Sequence, residues 1–287
     1  MRTMSDPDHT SRIPTSTVQV ATVVRYTFLD YFRSRRFYIL LSIGLIISGL
    51  LTFIVAHYRP ASFISSGSLS FYANWWGMSA SFVVILSGIF FGGDAIAGEF
   101  QNKTGYFVLP NPIRRSAVYV GKWIAAFIAS SIILLVFTAI TVANGLFYGM
   151  GIPSQFIESM AFAWIYLIAV LGFTFFFSSL FKSSSYSILV TAILFLFAFT
   201  LIRTLVADLA QIEPWFIVSY GGEIIGDILQ SPYPQHIMTT TTTGPRGATF
   251  TITSYNPTTT EGLIILIAYF AATAVLGLFL FERKEFN

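Results

Sequence analysis

Six runs of about 20 apolar residues divide this chain. As a helix rising 1.5 Å per residue, each is long enough to cross roughly 30 Å of hydrocarbon. They cover residues 37–56, 78–97 (interrupted by Asp94), 123–143, 157–181 (with Glu158 at the edge), 186–202 and 262–281. The fifth is short by this measure, so it is expected to continue past Arg203 or to end in a kinked segment. Composition agrees with embedding in lipid: 55% of the 287 residues are hydrophobic and only 10% are charged, against about 25% in soluble domains. Thirty Phe are too many for one water-surrounded core of this size. The reading is an all-α membrane protein with six transmembrane helices.

Six crossings put both termini on one side. Thirteen of the 16 basic residues then share a face with the termini and the 98–117 loop, leaving Arg59, Arg203 and Arg246 opposite. By the positive-inside rule that basic face is cytoplasmic, so the expectation is a multi-pass protein of the plasma membrane with both termini in the cytosol. Trp75, Trp76 and Trp215 fit an aromatic belt on the outer side. No small-residue cleavage site follows an early apolar run, so a removable signal peptide is not expected. The overall charge of +3 gives no support for nucleic-acid binding. Zero Cys excludes disulfides, thiol catalysis and thiolate metal sites.

Four regions follow from this layout. Residues 1–36 form a cytoplasmic N-terminal segment. Within it Val20, Val23, Val24, Thr27, Phe28, Tyr31 and Phe32 recur on one helical face, with a start offered by Pro14, Ser16 and Thr17. A stripe of this kind beside Arg33, Arg35 and Arg36 predicts an amphipathic helix in the plane of the inner headgroups, in contact with membrane lipid. Residues 37–207 hold the first five spans and residues 262–287 the sixth span with a cytoplasmic tail. Between them, residues 208–261 are an outer insertion. Trp215 to Leu229 could form short helices dipping into the interface, with Glu213, Glu223 and Asp227 facing water, and the Thr-rich remainder reads as a surface loop.

Catalytic patterns are missing. Gly93 and Gly98 have the spacing of the first two glycines of a phosphate-binding loop, but Glu99 and Phe100 stand where Lys and Ser or Thr are required. His9, His57 and His236 have no carboxylate or second His at ligand spacing, so no metal site is expected. Ionisable groups within the spans are few and lie near span ends, where snorkelling explains Arg203; a carboxylate relay for a secondary carrier is not evident. Gly88 with Gly92, Ala125 with Ala129, and Gly145 with Gly149 have helix-packing spacing, within the chain or between two chains.

Glu99, Thr104, Gly105, Leu109, Pro110, Arg114 and Arg115, ending in Gly121 and Lys122, resemble the signature after the second span of ABC-type exporter permeases of the type 2 class. The layout of in-plane helix, six spans and a large insertion before the last is similar to that family across nearly the whole chain. The resemblance implies a non-catalytic permease subunit that binds no cofactor itself. ATP and Mg would be held by a separate ATP-binding subunit, present in two copies, and a second permease subunit would complete a homo- or heterodimer. It further implies that Glu99, Phe100, Thr104, Gly105, Pro110, Arg114, Arg115 and Lys122 contact the ATP-binding subunit through a coupling helix or hold the loop's shape. Arg114 and Arg115 touching lipid phosphates remains open, as do a secondary transporter and a non-transporting anchor or assembly subunit.

Overall fold

The structure is a computed structural model that describes residues 15–64, 66–102, 113–208, 210–243 and 249–284. Six helices in it are long and apolar enough to cross a membrane, as the sequence predicts. Helix α1 (Ser16–Arg33) is followed, after Ser34, by the first span, α2 (Arg35–Tyr58). Ser34 is extended and its side chain accepts from the Phe37 amide, which ends one helix and caps the next. After α3 (Ala61–Ile64), the second span runs through α4 (Gly67–Tyr72), a π-helical turn (Ala73–Gly77) and α5 (Met78–Gly92), then turns through residues 93–96 into α6 (Ala97–Gln101). The third and fourth spans are α7 (Arg115–Phe147) and α8 (Ser154–Leu180). The fifth joins α9 (Ser184–Ile193) to α10 (Phe199–Asp208) through a second π turn (Leu194–Ala198). It therefore extends past Arg203, as expected from its short apolar run. The sixth, α13 (Thr259–Arg283), starts in a capping box between Thr258 and Glu261.

The second span is central, with 72% of its apolar window buried, against 11% in the fifth and 22% in the first and sixth. The peripheral spans present Leu45, Ile46, Phe53, Leu189, Phe197, Ile264 and Val275 outward, which is stable only in lipid or against another subunit.

Three expectations are corrected. Trp75 and Trp76 are fully buried, not in a lipid-facing belt: Trp76 donates to Ser159 Oγ at 3.0 Å and stacks on Phe137, while Trp75 stacks on Phe71. Trp215 is exposed, as a belt residue should be. The stripe on α1 is shared: α1 packs along the start of α7 with Tyr31 buried and ring-packed on Phe91, while Phe32 of the same stripe stays exposed. In the insertion, α11 (Val218–Gly222) and α12 (Ile224–Asp227) seat Val218, Ile224, Ile225 and Leu229 in the bundle, and Asp227 is buried rather than water-facing. Its Thr-rich remainder is an antiparallel hairpin, β1 (Ile237–Thr243) with β2 (Thr249–Tyr255), in register from Ile237 opposite Tyr255 to Thr243 opposite Thr249. β-branched Thr suits a strand; the run lacks the apolar alternation that identifies one from sequence.

Candidate functional site

The densest set of polar ties joins all six spans at the end of the bundle where α6 lies. The chain breaks helix at residues 93–96, and two amides freed there, those of Ile96 and Ala97, both donate to Ser178 Oγ of α8 at 2.9 Å. A buried hydroxyl thus satisfies two helix-start donors that water cannot reach. Asp94, in the same break, accepts from Arg36 of α2 and from the Ser184 hydroxyl of α9. Gln101 Oε1 accepts from the Ser184 amide at 2.7 Å.

Glu99 and Lys122 form an ion pair, and the Lys122 ammonium also donates to the Ala95 carbonyl at 2.9 Å. Arg115 Nη1 donates to the carbonyls of Glu282 at 2.8 Å and Lys284 at 2.9 Å. Lys284 Nζ in turn donates to the carbonyls of Ser179 at 2.9 Å and Phe181 at 2.7 Å, and lies over the Phe100 ring. Cations here satisfy carbonyls left open at the C-terminal ends of α13 and α8. Burial, with Lys182 nearby, lowers the Lys284 pKa to about 8.

Glu99, Phe100, Arg115 and Lys122 are thus brought together. Arg114 is different: its amide donates to Gln19 Oε1 at 3.1 Å while its side chain is exposed. Thr104, Gly105 and Pro110 lie outside the described residues. The residues that sequence reasoning missed are Arg36, Ser178, Ser184, Gln101 and Lys284. The lone charge of Asp94 in an apolar run was the one local hint.

The glycine pairs divide as well. A side chain at Gly88 would strike Val170, and one at Gly92 would strike Thr174, so both serve contact between α5 and α8 within the chain. Gly145 accommodates Tyr72. Gly149 packs against nothing else among the described residues of this chain: its φ is 73°, and it ends α7 by donating to Leu146 O at 3.0 Å while the Met150 amide reaches Gly145 O at 2.8 Å. That is a Schellman termination, which favours glycine at this position.

At the opposite end, a cavity of about 380 Å³ opens between the spans and the insertion. Gly77 and Phe195, one from each π turn, line it together with Tyr166, Arg203, Glu223 and Asp227. Arg203 pairs with Glu223, so its charge is met by protein rather than by snorkelling. Asp227 Oδ2 is buried without a hydrogen-bond partner, and burial, against the opposing pull of Arg203, raises the carboxyl pKa to about 6. Near this cavity the fold also gathers Glu213, His236 and Glu261, although the sequence shows no carboxylate at ligand spacing from the histidine.

Compared with known families, the chain matches the one described as ABC-2 family transporter protein over residues 21–286. Among curated proteins no match is found.

Proposed function

The chain belongs to the ABC-2 transporter family, and from that premise we propose that it is the permease subunit of an ATP-driven exporter, driven through the loop behind its second span. It is a multi-pass membrane protein and a membrane transport subunit; such subunits typically pair with ATP-binding subunits. In the proposed reading two ATP-binding subunits dock on the cytosolic face at 98–117, and a second permease copy or homologue completes the path. ATP and Mg belong to the docked subunits. The cytosolic face is assigned by the excess of Arg and Lys on that side.

One observation carries the coupling reading. The segment leading into the loop, residues 93–101, is bonded directly to α2, α7, α8 and α9, and Phe100 stacks edge-on against Phe281 of α13. A force on the loop would therefore reach every span, as a lever requires. Asp94 and Arg203 are both engaged in ion pairs, which weighs against their serving as the carboxylate or cation relay of a secondary carrier.

The test is Arg114→Glu, assayed with the cognate ATP-binding subunit in liposomes. This side chain is exposed, so the variant is expected to fold normally, to lose ATPase stimulation and to lose transport. Unchanged transport in Arg114→Glu, or a native complex that contains no nucleotide hydrolase, would overturn the proposal. Because the chain has no Cys, a single Cys at Asn102 or Gln235 reports sidedness directly: membrane-impermeant reagent applied outside cells should label Gln235→Cys and spare Asn102→Cys.

A further inference from the structure

Three elements meet where the insertion joins the last span. Glu213 follows the fifth span, His236 precedes β1, and Glu261 lies in the first turn of α13, with one ligand atom from each within 4.8 Å of the others. We propose that Glu213, His236 and Glu261 form a binding site for a divalent transition-metal cation of the Zn²⁺ class, clipping the two ends of the insertion to the start of the sixth span.

The imidazole is set up as a ligand. His236 Nδ1 lies 2.9 Å from the Asn256 carbonyl. A carbonyl can only accept, so Nδ1 carries the hydrogen, with Glu261 Oε2 3.8 Å from the same nitrogen, and in the proposed site Nε2 supplies the lone pair, the arrangement that orients metal-binding histidines. Nε2 lies 3.5 Å from Glu213 Oε2, long for a direct bond but close to the roughly 3.3 Å separating two ligand atoms on a tetrahedral ion at about 2.0–2.1 Å.

The carboxylates make the second argument. Glu213 and Glu261 each bring a carboxylate oxygen within 4.8 Å of the other, a like-charge approach that a cation bound between them relieves. Supporting bonds hold the set: Tyr220 Oη donates to Glu213 Oε1 at 2.7 Å, and the Asn256 amide donates to His236 O at 2.9 Å. One nitrogen with two carboxylate oxygens fits Zn²⁺ with an open position, and Ca²⁺ or Mg²⁺ poorly, since each prefers an all-oxygen shell. The site does not depend on the transport reading.

Chelator-stripped full-length protein in detergent, titrated calorimetrically with Zn²⁺, should bind one ion per chain. Mg²⁺ and Ca²⁺ should bind far more weakly. His236→Gln and Glu213→Gln should each weaken Zn²⁺ binding about 10-fold or more, while their unfolding in chelator matches the parent. Should either variant fold poorly, Co²⁺ loading of the unsubstituted protein replaces it and should give the visible absorption of a low-coordinate site. No saturable Zn²⁺ binding, binding that both substitutions leave unchanged, or an octahedral Co²⁺ spectrum would overturn the proposal. So would a shared proton as the sole occupant, seen as proton exchange without metal uptake.

Discussion

Lys122, early in the third span, pairs with Glu99, just beyond the second, and the same ammonium bonds the carbonyl of Ala95. Neither side chain is more than about a fifth exposed, at 13% and 21%, so the pair sits where its attraction is weakly screened and the loss of one partner leaves the other charge less well compensated. Lys122→Met or Glu99→Gln should each lower unfolding stability in detergent by about 1–3 kcal/mol. A double-mutant cycle should return a coupling of about 1 kcal/mol or more; additive losses would show that the pair contributes nothing together.

Arg114 and Arg115 are neighbours with opposite duties. Arg115→Met removes donors from the carbonyls of Glu282 and Lys284 and should cost about 1–2 kcal/mol, with earlier proteolysis of the C-terminal end. Arg114→Met, on an exposed side chain, should leave the unfolding midpoint unchanged. Equal destabilisation by both would contradict this division.

Gly121 lets α1 lie against α7. A Cβ there would come within 2.7 Å of Val23 Cγ1 and 3.2 Å of the Val20 carbonyl, so Gly121→Ala should cost about 1–3 kcal/mol through overpacking. Adding Val23→Ala should recover a small part of the loss, because it removes Cγ1, the nearest obstructing atom, while the Val23 Cβ at 2.8 Å remains. Gly149→Ala should also destabilise, but through its φ of 73°, and no partner substitution should rescue it.

Asp227 titrates in a buried site. Its pKa of about 6 in the fold lies above its ordinary 3.8, so the protonated form is the one the fold favours. This contribution to stability is fully present below about pH 4 and is lost as pH rises through about 6. Acidification from pH 7.5 to 5 should therefore raise the unfolding midpoint through this group, and Asp227→Asn should flatten that dependence and gain about 2–3 kcal/mol at pH 7.5. An Asn variant with the parent's pH profile would assign the dependence to another group.

Much of this fold is legible in the chain itself. Span count, the overrun of the fifth span and the α1 stripe follow from run length and helical period, which are properties of neighbouring residues. The signature between Glu99 and Lys122 pointed to the family that the match over residues 21–286 shows. Trp75 and Trp76 mark the limit of that kind of reading. Their place at a span end suits a lipid belt and a buried core equally well, and the partners Ser159, Phe137 and Phe71 decided between them.

Sequence alone thus determined that the chain crosses the bilayer six times and carries a charged loop behind its second crossing, because lipid leaves a long apolar run no alternative to a helix with its backbone bonds made internally. Tertiary structure alone decided which charges meet: Arg36 with Asp94, Glu99 with Lys122, Arg203 with Glu223, and the Glu213, His236, Glu261 set. The physical reason is that Coulomb attraction and hydrogen bonding act at a few ångströms, and no periodicity along the chain records which distant residues packing will bring that close.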